Sequence, residues 1–271
     1  MLSRIPSRLF RGVGAEAPCY FVADTRANDG RTDASYRLAL EARPRRAAFA
    51  ASPTNSYYSK DRLHALVGWL HAHFEHCCYF EPPGEYSLNS LGRGDSAKKQ
   101  RHVRYRKRAN RKAVESAGLA TRVVSDWAAI DREDAFRESL DEVRAVFRGS
   151  RAFSRAVDDQ CRTFYFGENA RRAIRGLAPL GIAERESVAW SREYLLRELA
   201  FSSRCDEILD SVLGWGRGPV ALIYHERWPL LERFVSGEFG ERGRFNAVFY
   251  AVKMTPLADW DGQDAGPFWR E

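Results

Sequence analysis

Three groups of residues have the types and spacing that chemistry needs. The first is FAASPTNSYYS, Phe49 to Ser59, where an apolar run stops at Ser52 and Pro53. A serine at the carboxyl end of a buried strand lies where open α/β sheets hold their ligands, and the positive end of the next helix favours developing negative charge there. On the residues alone two roles stay open for Ser52: a nucleophile, or the hydroxyl that caps the following helix. No G-x-S-x-G elbow surrounds it, and chain order supplies no His and Asp partners to activate it.

The second group is Tyr194 and Glu198 in ESVAWSREYLLRELAF. At about 100° per residue, Glu198 shares a helix face with Ser191, Tyr194, Leu195, Phe201 and Ser202, away from Arg192, Glu193 and Arg197. A carboxylate on an apolar face needs a partner or a shifted pKa. Either a group that holds an amine and moves protons, or a structural carboxylate paired with an arginine, fits that position.

The third group is KKQRHVRYRKRANRK, residues 98–112, with nine Lys or Arg and no acid. Net charge is +7, so the rest of the chain stands at about −2 once these nine are set aside. The protein carries one basic element rather than a basic surface. Lys98, Arg101, Arg104, Arg108 and Arg111 recur at helical spacing, and Lys99, Arg106, Lys107 and Lys112 widen the stripe. Like charges along a helix repel, and phosphates relieve that repulsion. A polyanion, RNA before DNA, is the expected partner, against a merely solvated face.

The elements that position these groups follow from periodicity. Short apolar runs at residues 19–25, 45–52, 77–83, 121–127, 218–226 and 245–254 read as strands. Helical spacing marks 61–75, with Leu63, Leu66, Val67, Leu70 and Phe74, then 96–117, a helix-rich stretch from Trp127 to about Phe166, one helix from about Glu184 to Leu209, and a short one at WPLLERFVSGEF. Alternating strands and helices predict an α/β fold, a mostly parallel sheet covered on both faces. One domain over 1–271 is expected, with 1–18 a flexible basic tail.

Several classes are excluded or disfavoured. With 44% apolar residues the chain can bury a full core, so disorder is not expected. No apolar run approaches the roughly 20 residues of a membrane helix, and the N-terminus lacks a secretory h-region. The five cysteines are an odd, scattered set without a CxxC pair, which points to reduced thiols and a cytoplasmic protein. His71, His73, His76, Cys77 and Cys78 cluster, but no second cluster completes a zinc site, so no metal is expected. GWGRGP, residues 214–219, lacks the P-loop Lys-Ser/Thr and reads as a loop. No dimer seam is evident, and a monomer is expected.

Taken in order, SPTNSYYS, the Trp69-containing segment after it, the basic helix, and Tyr194-x-x-x-Glu198 followed by Tyr224-His225 resemble the cyclodipeptide synthase family. The similarity runs from about Phe49 to Pro229. It implies a Rossmann-like parallel sheet flanked by helices, similar to the catalytic domain of class I aminoacyl-tRNA synthetases. It also implies an activity: two aminoacyl-tRNAs become a cyclic dipeptide (a 2,5-diketopiperazine) by a ping-pong route, without ATP or another cofactor.

Carried over by position, the resemblance makes Ser52 the nucleophile that holds the first aminoacyl group. Tyr194 and Glu198 grip its amine, Glu198 serves in proton transfer, and Tyr224 acts in later steps. Asn55, Tyr224 and His225 match the marker set of the Asn-Tyr-His subfamily, and Ala48 and Ala50 fall at the first amino-acid pocket. Three departures bear on that pocket: Ala50 in place of a common glycine, Ala200 in place of a frequent proline, and a longer interval from Glu198 to Tyr224. The absence of HIGH-like and KMSKS signatures argues against a synthetase that charges tRNA itself. A noncatalytic RNA-binding module on the same scaffold remains the alternative.

Overall fold

The computed structural model describes residues 8–11, 19–24, 45–53, 57–81, 96–117, 121–124, 127–224, 228–235, 238–239 and 247–255. The strands among these are β1 (Arg8–Arg11), β2 (Cys19–Asp24), β3 (Arg46–Ala50), β4 (His76–Phe80), β5 (Thr121–Val124), β6 (Val220–Tyr224) and β7 (Ala247–Thr255). The helices are α1 (Lys60–His73), α2 (Ser96–Ser116), α3 (Trp127–Asp131), α4 (Asp134–Gly149), α5 (Arg151–Ile174), α6 (Glu184–Ser203), α7 (Cys205–Leu213) and α8 (Pro229–Val235). All seven strands join one sheet in the order β1-β2-β7-β6-β3-β4-β5.

The strands from β7 to β5 in that order run parallel, as alternation with helices predicts. At the other edge β2 pairs antiparallel with both β7 and β1. Residues 8–11, expected within a flexible tail, are therefore strand.

β3 lies between β6 and β4, buried on both faces, which is why it reads as an uninterrupted apolar run. Its alternation divides the core. Ala47, Phe49 and Ala51 pack with Tyr79, Ile223 and the apolar sides of α1 and α2. Ala48 and Ala50 turn the other way, with Cys78, Phe80, Leu222 and Tyr224, toward the helices from α3 to α8. Burying Leu70 fully on the first face stabilises the fold enough that Leu70→Ala costs about 2–5 kcal/mol.

The helix expected from Glu184 to Leu209 breaks at Arg204 (φ −130°, ψ 34°). The hydroxyls of Ser202 and Ser203 donate back to the carbonyls of Glu198 and Leu199, each at 2.8 Å, and so compete with the helical ladder. The Arg204 guanidinium also reaches Glu138 (2.7 Å) and Glu142 (2.6 Å) on α4, which fixes the bend. The longer interval between Glu198 and Tyr224 holds the end of α6, then α7, then the expected loop at 214–219. Helix α7 ends at Gly214 in the left-handed region (φ 66°), whose N–H donates to the Asp210 carbonyl at 2.7 Å.

Candidate active site

Ser52 follows β3 by two residues and is half-buried. The segment around it is held by bonds to its backbone carbonyls. Asn110 Nδ2, from the buried side of α2, donates to the Ala51 carbonyl at 3.3 Å. Arg62 donates to the Tyr57 carbonyl at 3.2 Å and lies over the Tyr57 ring, and Arg106 donates to the Tyr58 carbonyl at 3.1 Å. The hydroxyl that caps α1 is Ser59, whose Oγ accepts from the Arg62 N–H at 3.3 Å. The capping role left open for Ser52 therefore belongs to Ser59. Asn55, with Thr54 and Ser56, lies outside the described residues.

Across the carboxyl end of β3 stand Tyr194 and Glu198 of α6 and Tyr224 at the end of β6. Ile223 pairs with Phe49 in register, which puts Tyr224 beside the end of β3 on the face that also carries Ala50. Ala48 belongs to the apolar cluster against which Ala50, Tyr194 and Tyr224 pack. Tyr194 hydrogen-bonds to Glu198 one turn on, and Tyr224 hydrogen-bonds to Ser202. Ser202 is fully buried and donates its own proton to the Glu198 carbonyl. Tyr58 sits close enough to act electrostatically on both Tyr194 and Tyr224. His225 lies outside the described residues.

Burial dominates the electrostatics of this cluster. It pushes the Glu198 carboxyl from its ordinary 4.5 up to about 7, although the Tyr194 hydrogen bond pulls the other way. Tyr194 and Tyr224 are raised well above their usual range by burial first and by the nearby Glu198 charge second, so both phenols stay protonated. Among the described residues no cation pairs with Glu198; the neighbouring Arg197 points instead to Asp131 on α3. Among the described residues, the arginine partner that the structural reading of Glu198 requires is not found. The arrangement provides a carboxyl whose proton burial holds and two phenols beside it. An ammonium fits such a site, because it brings the positive charge that burial has withheld from Glu198.

The cyclodipeptide synthase family model matches residues 32–254, which includes every part of this site. The chain belongs to the cyclodipeptide synthase family. It is 26% identical over 218 residues to the cyclo(L-leucyl-L-leucyl) synthase of Bacillus subtilis, covering 78% of this chain and 83% of that protein. Among solved structures it resembles a cyclodipeptide synthase from Bacillus thermoamylovorans (TM-score 0.67, 18% identity, 87% of this chain and 96% of the other). It also resembles a Mycobacterium tuberculosis protein whose structure relates cyclodipeptide synthetases to type I tRNA synthetases (TM-score 0.63, 18% identity, 94% and 99% covered). The Rossmann-like sheet is the architecture these structures share, and the protein is an enzyme of an aminoacyl-tRNA-dependent family.

In this cyclodipeptide synthase the basic helix α2 turns its cations two ways, some outward and some toward the body. Arg101, Arg104, Arg108 and Lys112 are exposed. Arg106, Lys107 and Arg111, expected in the same stripe, turn partly toward the body. Arg106 holds the Tyr58 carbonyl, while Arg111 (2.5 Å) and Lys107 (3.8 Å) pair with Glu81, which is only 4% exposed at the end of β4. Arg111 and Lys107 tie the helix to the end of β4 and Arg106 ties it to the segment before α1, and Arg111 no longer extends the outer row. The side chains of Lys98 and Lys99 lie outside the described residues.

Tyr58, Ser202, Glu81 and Asn110 are site or support residues that sequence reasoning did not single out. Ser202 had a visible signal, since it shares the helix face of Glu198. Glu81 had none, because its partner lies 30 residues away. Cys77 and Cys78, noted beside three histidines, are buried in β4, and burial pushes the Cys77 thiol up to about 12. Among the described residues no group of three or more His, Cys, Asp or Glu is placed to hold a metal ion, and no helix is long and apolar enough to cross a membrane.

Proposed function

We propose that this enzyme joins two aminoacyl groups taken from aminoacyl-tRNAs into a cyclic dipeptide, by a ping-pong route through an aminoacyl ester on Ser52 and without ATP. The observation that carries the reading is the hydrogen-bonded Tyr194–Glu198 pair with Tyr224 beside it, at the carboxyl end of the strand that Ser52 follows.

An aminoacyl ester is already activated, so a serine held in place can take it over without a strong base. Ser52 Oγ attacks the ester carbonyl, the bond to the tRNA ribose breaks, and the serine proton passes to the departing ribose oxygen. The held amino acid keeps its ammonium, which Tyr194 and Glu198 bind. When the second aminoacyl-tRNA arrives, Glu198 accepts a proton from that ammonium and the freed amine attacks the second ester. The new amide releases the second tRNA. The second residue's amine then attacks the Ser52 ester, which closes the ring and returns the hydroxyl. Tyr224 positions the amine or relays a proton in these later steps, and the pattern Asn55, Tyr224 and His225 assigns the enzyme to the Asn-Tyr-His subfamily. Exposed Arg101, Arg104, Arg108 and Lys112, with Lys98 and Lys99, bind the phosphates of the tRNA. The enzyme acts as a monomer in the cytoplasm, where charged tRNA is found.

The test is incubation with a pool of charged tRNAs in ATP-depleted buffer, followed by mass spectrometry for diketopiperazines. Product without ATP is expected. Binding of tRNA with no product from any aminoacyl-tRNA would return the protein to the class of RNA-binding modules, and a strict need for ATP would make it a synthetase.

A further inference from the structure

The outer row of α2 holds one residue that charge does not explain. Tyr105 is 69% exposed, in the midst of Arg101, Arg104, Arg108 and Lys112. At about 100° per residue these five side chains fall within an arc of roughly 100°. Arg101 and Arg108 stand one turn before and one turn after Tyr105 on the same side. The opposite side of the helix packs through Val103, Asn110, Ala113 and Val114, so Tyr105 contributes nothing to the core. A solvated helix face has no need of a large ring, whereas unpaired bases bind to a cationic row with aromatic platforms in it.

Position narrows the ligand further. Arg106, the next residue, is bonded to the Tyr58 carbonyl at 3.1 Å, and Tyr58 in turn lies beside Tyr194 and Tyr224. The helix that carries Tyr105 is thus tied to the Tyr58 segment beside Tyr194 and Tyr224, and RNA that delivers its esterified end to that cluster would lie along the row. The part of a tRNA that comes so close to the esterified end is single-stranded, and only unstacked bases have a face to offer a side chain.

We propose that Tyr105 stacks on a base of the unpaired 3′ end of the aminoacyl-tRNA, with Arg101 and Arg108 gripping the adjoining phosphates. This rests on the reading that tRNA binds along α2. Stacking adds affinity that does not come from counterion release, so it leaves the salt slope alone. The site takes any base, since all present a π-face.

The test measures binding of two acceptor-stem hairpin RNAs, one with and one without the unpaired 3′ nucleotides, over a range of salt concentrations. Tyr105→Ala is expected to weaken the hairpin with the overhang by roughly tenfold, at unchanged salt slope, and to leave the trimmed hairpin unaffected. Tyr105→Phe keeps the affinity. Arg104→Ala weakens both hairpins and lowers the slope by about 1. Equal loss on both hairpins, a changed slope, or no effect of Tyr105→Ala while Arg104→Ala weakens binding overturns the stacking role alone. If the triple replacement of Arg101, Arg104 and Arg108 by alanine also leaves binding intact, the placement of tRNA along α2 fails with it. Tyr105 is exposed, so its substitutions do not threaten folding, and circular dichroism verifies that.

Discussion

Tyr194 and Glu198 are hydrogen-bonded one turn apart on α6, and the burial they share leaves the Glu198 carboxyl with a pKa of about 7. Burial therefore keeps part of these carboxyls protonated near neutral pH before substrate arrives. An incoming ammonium favours the charged form, so binding and deprotonation are coupled.

The coupling appears in the rate. For wild-type enzyme, kcat/KM with aminoacyl-tRNA rises with pH through a limb near 7, because the protonated carboxyl neither attracts the ammonium nor takes its proton. Glu198→Gln lowers the rate by about 10²–10⁴-fold and removes the limb. A limb that persists in Glu198→Gln assigns the titration to another group.

The same shift appears in stability, with the opposite trend. The native state keeps the Glu198 proton up to about pH 7, while the unfolded chain releases it near the ordinary 4.5. Stability from this group is therefore full below about 4.5, falls as pH rises to about 7, and is level above that. The change is on the order of 3 kcal/mol. Urea unfolding of Glu198→Gln across this window lacks that fall; equal pH dependence in both proteins would contradict the burial argument.

Arg108 and Arg111 lie on one helix, the first exposed and the second paired with Glu81. Arg111→Ala leaves the buried Glu81 with Lys107 alone at 3.8 Å and costs about 2 kcal/mol in denaturant unfolding. Arg108→Ala stays within about 0.5 kcal/mol of wild type but weakens tRNA binding and reduces its salt dependence. The reverse pattern would place Arg111, not Arg108, on the RNA surface.

Ala50, Tyr194 and Tyr224 pack against the same apolar cluster, and the proposed function places Ala50 at the wall of the first amino-acid pocket. Ala50→Val adds volume there and should shift the first amino acid toward smaller side chains, by roughly 10- to 200-fold in relative kcat/KM for one or two methylenes. Product profiling from a mixed charged pool measures this, and an unchanged profile would remove Ala50 from the pocket wall.

Much of this arrangement was legible in local pattern. The two-sided burial of β3 shows as an unbroken apolar run, and the shared face of Tyr194, Glu198 and Ser202 shows as helical spacing. What stayed hidden depends on contacts between distant segments or on competing local bonds. Both Ser52 and Ser59 are plausible caps in sequence, and only the start of α1 at Lys60 decides between them. Arg111 reads as one more cation until the fold brings Glu81 to it. The break at Arg204 arises from Ser202 and Ser203 bonding back into their own helix and from α4 carboxylates, and neither leaves a mark in hydrophobic periodicity. Tyr58 looked like half of a loop tyrosine pair, because its place near Tyr194 and Tyr224 needs both α6 and β6.

The account turns on a covalent bond to Ser52. Intact-protein mass spectrometry after rapid mixing with a single species of aminoacyl-tRNA tests it most directly. Wild-type protein should gain the mass of one aminoacyl group, mapped by peptide fragmentation to Ser52, and Ser52→Ala should gain none and form no product. No adduct on wild-type protein, together with full activity of Ser52→Ala, would contradict the aminoacyl-serine route.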